Sequence, residues 1–464
     1  MTTNLQNSPL DFSNIQTARG LSYRVLCAGL DGTQFASRLL EDALGMGDVS
    51  GQDRRLATEL TYGVVRRERT LDAIIETFVS RGRSSVEPEL WCLLRLGAYQ
   101  LIFLTGVPTH AAVNETVALA GSVGRARWTG FANGVLRSMT RALTGEPVNE
   151  PGRRAVPLRD GNYLGFDRDL FADSHEQPAE YFAAAFGFGD WAARRWLERF
   201  GFERLLKMGF WFNAAALPCL RVNLLRVDRE VLLEDLSAAG VSASEGTLPE
   251  SVRLGEMARI TELPGFRQGW FTVQDESAMA AARLLNPAPG TRVWDMCAAP
   301  GGKSTHMAEI MQNHGTLLAS DIEFRRIMNV EQTRDRLGLT MISTRTIYPD
   351  SRNLPDGPFD AILVDAPCSN SGVLGKRPEA RHRVTAENVA ELCELQARLL
   401  GAGLDRLAPG GRLVYSTCSI EPEENRELVL KVLAGRNDVE LQEEQEHIPG
   451  EPVDGGYQAL LQRT

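Results

Sequence analysis

The sequence predicts a multidomain protein with an all-helical N-terminal part, a small α/β subdomain and a C-terminal doubly wound α/β domain. Apolar residues recur at three- and four-residue spacing between residues 19 and 143, which is typical of amphipathic helices that pack together. Beyond residue 265, short apolar runs alternate with helical segments, and this alternation favours a parallel sheet covered on both faces. A chain of 464 residues is long enough for two or three such domains.

The predicted domains follow one another along the chain. Helices are predicted in the first domain at residues 21–30, 54–79, 89–103, 111–123 and 131–143. Residues 144–175 mix Gly, Pro, Asn, Asp and Arg without periodicity and are predicted to be a linker. Residues 176–264 combine helical sequence at 181–212 with a small α/β unit, whose strands at 220–223 and 251–254 flank a helix at 229–239.

The domain at 265–464 has the clearest alternation of strands and helices. Strands are predicted at residues 292–296, 316–320, 341–347, 361–364 and 412–416, and helices at 303–311, 323–337 and 386–400. Ligands of open α/β sheets bind beyond the carboxyl ends of the strands. Residues directly after these strands are therefore the first candidates for a functional site.

Composition and charge argue against a membrane protein and against a metal-binding protein. Residues 1–18 are polar and predict a disordered tail without a leader, and no apolar run reaches the ~20 residues that a membrane helix needs. We therefore expect a cytoplasmic protein, monomeric and free of membranes. Of the net charge of −10, residues 420–464 carry −7, from eleven acidic and four basic residues, so the rest is nearly balanced and permits local RNA contact. The seven cysteines and six histidines lack metal-binding spacing, and we expect no metal.

Two thiols lie where two predicted parallel strands end. Cys368 closes Asp365-Ala-Pro-Cys, and Cys418 lies in Tyr-Ser-Thr-Cys-Ser. Placed beside Asp365, two thiols at this edge indicate covalent catalysis rather than core packing. Spacing alone leaves open which thiol would attack a substrate.

A loop of small residues follows the first strand of this domain. It reads Asp295-Met-Cys-Ala-Ala-Pro-Gly-Gly-Lys-Ser304 and opens onto a predicted helix, so backbone N–H groups can approach a ligand. Asp321, Asp350 and Asp365 follow the next strands and would line the same crevice, which favours a nucleoside-bearing cofactor. The rival reading is a nucleotide-binding P-loop, but its first glycine would have to stand at position 297, where this chain has cysteine.

Arginine supplies nearly all the positive charge, and two groups of arginines are candidates for RNA contact. Arg66, Arg67 and Arg69 are close together in the helical part, and Arg377 and Arg381 follow the Pro-Cys loop. Guanidinium groups suit phosphate contacts and stacking on bases. An ordinary solvated helix face or loop explains the same pattern equally well.

The motifs of the C-terminal domain occur in a specific order. Asp295 to Lys303 is followed by Asp365-Ala-Pro-Cys368, Ser416-Thr-Cys418-Ser and Glu421-Pro-Glu-Glu-Asn425, and Gly269 to Ser277 precedes them. In this order the motifs resemble the RNA cytosine-5 methyltransferases of the RsmB/Sun (Fmu) group. In the helical part, the segments at 53–63 and 131–137 resemble the NusB-like domain of the same group. The resemblance covers nearly the whole chain except residues 144–175.

The resemblance implies a NusB-like RNA-binding domain at 19–143, a small RRM-like subdomain and a Rossmann-like class I methyltransferase domain. It implies methyl transfer from S-adenosylmethionine to carbon 5 of a cytosine in small-subunit (16S) rRNA. In this scheme Cys418 attacks the base, Cys368 assists product release and Asp365 activates the cytosine. The residues expected to bind the cofactor are Cys297, Ala298, Ala299, Pro300, Gly301, Gly302, Lys303, Asp321, Asp350 and Asp365.

Three alternatives remain open at this point. The enzyme could modify another RNA such as tRNA, or the Pro-Cys thiol could attack as it does in DNA cytosine-5 enzymes. A different class of protein is an RNA-binding ribosome-assembly factor with an inactive methyltransferase fold. Two departures from the family pattern, Asp454-Gly-Gly-Tyr457 and Thr333, concern packing and target recognition rather than the thiols.

Overall fold

The computed structural model describes residues 17–31, 34–46, 50–123, 125–159, 161–214, 216–350, 352–450 and 453–464. The chain divides into two compact units. One holds the described residues before 215 together with Leu374–Arg383, and the other holds Ala216–Val373 with Val384–Thr464. The boundary therefore falls inside the predicted subdomain 176–264, because the helices and the strands of that segment fold with different units.

The first unit is mainly helical. Its helices are α1 (Ala18–Ala28), α2 (Ala36–Met46), α3 (Gly51–Arg66), α4 (Glu68–Glu76), α5 (Pro88–Phe103), α6 (Thr109–Ser122), α7 (Ala126–Ala142), α8 (Pro178–Phe186) and α9 (Asp190–Asn213). Thr17 and Ser50 cap α1 and α3 by accepting backbone N–H groups. Every residue of α5 from Leu90 to Phe103 is buried, so α5 is the central helix. Residues 1–16 of the predicted tail lie outside the described residues.

Three features of this helical unit differ from the sequence expectations. Helix α2 was not predicted, because its glycine near the C-terminus reads as a turn signal, and the predicted helix at 54–79 is two helices, α3 and α4. Helix α9 is likewise broken at Gly201, whose φ of 73° lies outside the helical region.

The prediction of an irregular linker at 144–175 is wrong. Strands β1 (Leu143–Val148), β2 (Ala155–Pro157) and β3 (Tyr163–Phe166) form an antiparallel sheet in the order β1-β3-β2. Val156 and Phe166 are buried with 0% and 2% exposure. These strands are too short for a periodic pattern to reveal them. An isolated sheet of this size is only marginally stable in water, so burial of its apolar side chains is what stabilises it.

The second unit begins with a small antiparallel sheet. Strands β4 (Cys219–Val222), β5 (Ala243–Glu245), β6 (Ser251–Leu254) and β7 (Phe271–Val273) pair in the order β5-β6-β4-β7. Helix α10 (Arg229–Ala238) buries Leu232 and Leu236 in the same apolar cluster as β4 and β6. The predicted small α/β subdomain is confirmed.

A seven-stranded sheet forms the rest of the second unit. Its strands are β8 (Arg292–Asp295), β9 (Thr316–Asp321), β10 (Ile342–Thr346), β11 (Phe359–Asp365), β12 (Leu407–Thr417), β13 (Val439–His447) and β14 (Gly456–Arg463). Its helices are α11 (Glu276–Leu285), α12 (Gly302–Ile310), α13 (Phe324–Leu337), α14 (Ala386–Leu404) and α15 (Arg426–Leu433). The order β10-β9-β8-β11-β12-β14-β13 confirms the Rossmann-like class, although β14 is antiparallel to its neighbours, so the sheet is mixed.

This topology fixes the position of the functional edge. The chain runs from β8 to β9 and β10 on one side and then crosses back to β11 and β12 on the other. The strand order therefore reverses between β8 and β11, where doubly wound sheets bind their ligands. Separate apolar clusters cover the two faces of the sheet. No helix within the described residues is long and apolar enough to cross a membrane.

Candidate active site

The predicted cofactor loop joins β8 to α12 at the strand-order reversal. Gly301 has a φ of 102°, and a Cβ atom there would lie 3.1 Å from Cα of Val330, so both conformation and space require glycine. Ala298 N–H donates to the carbonyl of Ser320 at 2.8 Å, which ties the loop to the end of β9. Because the loop carries small side chains, a ligand can approach its backbone closely.

Asp321 closes β9 beside this loop. One carboxylate oxygen accepts the N–H of Ala299 at 3.2 Å, and the residue is 5% exposed. The exposed apolar side chains of Ile322 and Phe324 follow it. An acidic group beside a small-residue loop and apolar surface fits a ribose and a base. Asp350 lies instead on an exposed turn after β10, where its carboxylate pairs with Arg352.

Asp295 lies beneath the loop and is fully buried. Burial raises the pKa of its carboxyl group to about 7, although a hydrogen bond from Ser304 Oγ, at 2.6 Å, acts in the opposite direction. Its Oδ1 has no hydrogen-bond partner among the described atoms. Asp295 therefore supports the loop from inside and does not contact solvent.

Lys303 and Asp365 form an ion pair at the carboxyl end of β11. The distance from Lys303 Nζ to Asp365 Oδ2 is 2.7 Å. Burial alone would lower the pKa of Lys303, but attraction and hydrogen bonding by Asp365 outweigh it and raise that pKa above its ordinary value. The sequence predicts a cofactor contact for Lys303, and in this structure its ammonium group pairs with Asp365, a candidate catalytic residue.

The two thiols lie next to each other although they are 50 residues apart in sequence. Cys368 Sγ and Cys418 Sγ are 3.1 Å apart, and Cys418 Sγ is also 3.3 Å from Oδ1 of Asn370. The thiol contact with Cys418, together with burial, raises the pKa of Cys368 well above its ordinary value. Cys368 is buried, whereas Cys418 is partly exposed. The buried thiol therefore stays protonated, and the exposed one is the more accessible to a substrate.

Glu424 is a member of this site that the sequence reasoning did not assign. It is fully buried and accepts hydrogen bonds from the hydroxyl groups of Ser369 and Ser419, the residues that directly follow the two cysteines. The signal was present in the Glu-Pro-Glu-Glu-Asn motif, but only folding places that motif beneath the thiol loops.

Arg221 is a second residue that sequence reasoning missed. This fully buried arginine of β4 donates to the carbonyl of Gly302 at 2.6 Å and to both carboxylate oxygens of Glu309, at 2.9 and 2.8 Å. It thereby links the small antiparallel sheet to the first and last turns of α12. No motif in the sequence indicates this link.

The arginines predicted to contact RNA have different environments. Arg67 and Arg381 are each 2% exposed, so the prediction that they contact RNA is wrong for this structure. Arg381 donates to the carbonyls of Arg66 and Phe212, at 2.8 and 2.6 Å. A pattern of charges does not reveal burial, and here burial lowers the pKa of Arg67 to about 9.

The remaining candidates are partly or fully accessible. Arg66 donates to the carbonyl of Gly375 at 3.3 Å, and Arg69 pairs with Asp190 at 2.5 Å. Arg377 is exposed. In the described parts of the chain, no group of three or more His, Cys, Asp and Glu residues could hold a metal ion.

Comparisons with known proteins cover all of these regions. Residues 282–458 match the family model of 16S rRNA methyltransferase RsmB/F, residues 16–141 match the NusB family, and residues 188–261 match the ferredoxin-like domain of RsmF/B-like methyltransferases. The chain is similar to a probable ribosomal RNA small subunit methyltransferase B of Synechocystis, with 34% identity over 91% of this chain and 90% of the relative.

Other relatives and solved structures agree. A probable ribosomal RNA small subunit methyltransferase B of Bacillus subtilis is 33% identical over 85% of this chain and 83% of its own. A methyltransferase homologue of Pyrococcus horikoshii, solved by crystallography, has a TM-score of 0.55 and 29% identity over 62% of this chain and 99% of its own. The crystal structure of PH0851 covers 99% of this chain and 100% of its own, with a TM-score of 0.75; at 22% identity it shows the fold alone.

Proposed function

Because the chain belongs to the RsmB/F family of 16S rRNA methyltransferases, we propose that it methylates carbon 5 of a cytosine in small-subunit rRNA through a covalent adduct with Cys418. Family membership supports the coarser statement, methylation of rRNA with S-adenosylmethionine as donor. The observation that carries the finer proposal is the contact of Cys368 and Cys418 beside the Lys303–Asp365 ion pair.

The loop between β8 and α12 is the proposed cofactor site. When bound, S-adenosylmethionine supplies an electrophilic methyl group. Backbone groups of residues 297–302 and the carboxylate of Asp321 would hold it, and the exposed Ile322 and Phe324 offer apolar surface beside them. Asp350, exposed after β10, remains a proposed contact of the same ligand.

Cys418 is the proposed nucleophile. Carbon 5 of cytosine is weakly nucleophilic, and addition of a thiolate to carbon 6 makes it enamine-like. The partial exposure of Cys418 supports this role, since a base must reach its sulfur. The high pKa of the neighbouring Cys368 disfavours that thiol as the attacking group.

Asp365 and Lys303 are proposed to stabilise the adduct. When the thiolate adds to carbon 6, negative charge develops on the ring around nitrogen 3. Asp365 would carry a proton when the base binds and donate it to nitrogen 3 as this charge develops, and the ammonium group of Lys303 would then balance the charge of the resulting carboxylate. The target base must leave any stack to reach these groups, so unpaired or loop RNA is the expected substrate.

Release of the product requires two bond changes. The proton on carbon 5 leaves to solvent water, and its electron pair restores the carbon 5–carbon 6 double bond while the carbon 6–sulfur bond breaks. The sulfur of Cys418 departs as a thiolate, and the proton at nitrogen 3 returns to the carboxylate of Asp365. The thiol of Cys368, 3.1 Å away, stays protonated and is placed to donate a hydrogen bond to that thiolate, which stabilises it as the leaving group.

A denaturing-gel assay with unmodified small-subunit rRNA and S-adenosylmethionine tests the proposal. Cys368→Ala should accumulate a denaturant-stable RNA adduct, and Cys418→Ala and the double variant should form none. Cys27→Ala, which removes a thiol of the helical unit, is the matched control and should behave as wild type. An adduct with Cys418→Ala instead would reverse the roles, as in the DNA-type mechanism.

Two further measurements separate the alternatives. If no variant methylates small-subunit rRNA, the same assay with tRNA tests for another RNA substrate. Equilibrium binding of S-adenosylmethionine to the wild-type protein tests the assembly-factor alternative, because a protein that binds RNA but not the donor would not be an enzyme of this class.

A further inference from the structure

Glu424 is a buried carboxylate at the end of a short 3-10 turn, Pro422–Glu424, directly before α15. Four donors point at its two oxygens. Oε1 accepts the N–H of Ser369 at 2.8 Å and the side-chain amide of Gln396 at 2.9 Å. Oε2 accepts the hydroxyl of Ser369 at 2.5 Å and the hydroxyl of Ser419. Both oxygens of this buried carboxyl group therefore have hydrogen-bond partners.

Two partners of Glu424, Ser369 and Ser419, belong to the two loops that carry the thiols. Ser369 directly follows Cys368, and Ser419 directly follows Cys418. One carboxylate therefore joins the two loops at the residues next to the two sulfur atoms. Fully satisfied buried hydrogen-bond networks of this kind fix the geometry of the groups that they join.

Backbone pairing alone does not hold the loops together. The parallel register of β11 and β12 ends at Asp365 and Ser416, before either cysteine. Beyond it, Ala366 N–H donates to the carbonyl of Ser416 and Gly372 N–H donates to the carbonyl of Cys418, each at 2.9 Å. Between these two backbone bonds the loops are joined by side chains, through the hydrogen bonds to Glu424 and through Ser371 Oγ, which contacts Ser419 Oγ at 3.1 Å and accepts the N–H of Ile420 at 2.9 Å.

Asn425, the next residue, supports the second loop. Its Oδ1 accepts the hydroxyl of Thr417 at 2.6 Å, and its Nδ2 donates to the carbonyl of Ser419 at 2.9 Å. The residues on both sides of Cys418 are thus bound to one dipeptide, Glu424-Asn425, which also holds the residue after Cys368.

We propose that Glu424 is a positioning residue that keeps Cys368 and Cys418 in contact, so that Cys368 acts on the adduct that Cys418 forms. The inference rests on the proposed function, because it assigns the two thiols successive roles. Attack by Cys418 needs one loop, whereas release needs both loops in register. Loss of the carboxylate should therefore impair release more than adduct formation.

The first test uses the rate of disulfide formation, in the absence of RNA, to report whether the two thiols stay in contact. Diamide oxidises two neighbouring thiols to a disulfide, taking up their two electrons and two protons, and the linked Cys368–Cys418 peptide is quantified by mass spectrometry after digestion. We expect Glu424→Gln to form this disulfide at least ten times more slowly than wild type. Glu427→Gln, an exposed change of the same charge three residues away, should match wild type. Equal rates in Glu424→Gln and wild type would overturn the proposal.

The second test measures how the reaction divides between adduct and product. Glu424→Gln should show a tenfold or greater fall in kcat, unchanged affinity for S-adenosylmethionine, and a higher ratio of trapped adduct to methylated RNA. A purely structural role would lower adduct and product in parallel and weaken donor binding, and that result would refute a positioning role. Ser369→Ala with Ser419→Ala removes the same bridge while leaving the carboxylate, and should reproduce the higher ratio.

The two tests distinguish a failure of the positioning role from a failure of the proposed function. If no variant forms an RNA adduct, the covalent mechanism is wrong, while the diamide rates still report whether Glu424 holds the thiols together. If adducts form as proposed but Glu424→Gln leaves both the diamide rate and the adduct ratio unchanged, the positioning role alone is wrong.

Discussion

Replacement of Arg221 by methionine should destabilise the cofactor loop. Arg221 is fully buried, and its guanidinium group donates hydrogen bonds to the buried carboxylate of Glu309 and to the carbonyl of Gly302. Methionine keeps much of the volume and removes the charge. The carboxylate of Glu309 then remains buried without its cation, and breaking a buried pair from one side costs about 3–5 kcal/mol.

A double-mutant cycle measures the interaction free energy between Arg221 and Glu309. Glu309→Met alone leaves the guanidinium buried and should cost a similar amount. The double variant, Arg221→Met with Glu309→Met, should recover most of the loss, because an apolar pair of similar volume commonly replaces a buried ion pair within about 1 kcal/mol. In this variant the carbonyl of Gly302 shares the hydroxyl of Thr305, which lies 3.1 Å from it and 2.8 Å from the carbonyl of Gly301.

The pH dependence of Arg221→Met supplies an independent check. Burial already raises the pKa of Glu309 despite the opposing effect of Arg221, and loss of the arginine should raise this pKa further. A raised folded-state pKa means that the folded protein binds a proton that the unfolded protein has released. Stability then falls as pH rises through the folded-state pKa, so the loss should be larger at pH 8 than at pH 5.

Hydrogen exchange followed by mass spectrometry is the appropriate assay, since a chain of two units need not unfold in one step. Peptides of α12 should exchange faster in Arg221→Met and return toward wild-type protection in the double variant. Arg226→Met, an exposed arginine close in sequence, is the control and should have little effect. If the two single effects simply add in the double variant, the buried ion pair does not stabilise the loop and the reasoning is refuted.

Three further predictions concern individual side chains. Because burial raises the folded-state pKa of Asp295 from 3.8 to about 7, its ionisation removes stability as pH rises through that value; Asp295→Asn should melt above wild type at pH 8, with the advantage lost near pH 5. Gly187→Ala should destabilise the helical unit by more than Gly201→Ala in chemical denaturation: both glycines have positive φ, but only at Gly187 would Cβ contact a backbone oxygen, at 3.0 Å. Arg381→Met should cost the same unit about 3–5 kcal/mol by leaving buried carbonyls unpaired, whereas exposed Arg377→Ala should leave its melting unchanged and weaken RNA binding in a filter assay.

Much of the fold could be predicted because it rests on local patterns. Long amphipathic segments gave the helices of the first unit, and apolar runs with turn signals gave β8 to β12 within a few residues. The sheet at 143–166 and the antiparallel position of β14 could not be predicted. Short strands carry little periodic signal, and the direction of pairing depends on neighbours distant in sequence.

The candidate site also contains residues that could be predicted from the sequence and residues that could not. Residues that follow strands, such as Asp365, Cys368 and Cys418, could be proposed together because parallel strands end at one edge. Arg67 and Arg381 were misread, because a run of arginines looks the same in sequence whether it is exposed or buried. Their burial follows from the packing of helices that no local pattern specifies.

By itself, the sequence determined the fold class, the order of the domains, the small-residue loop and the strand ends that carry the thiols, because each depends on periodicity or on residue type at a strand end. Only the tertiary structure decided that Lys303 pairs with Asp365, that Arg221 donates to Gly302 in the proposed cofactor loop and that Glu424 joins the two thiol loops. Each of these contacts links residues from different elements, and its strength depends on exclusion of water, which exists only after the core has formed.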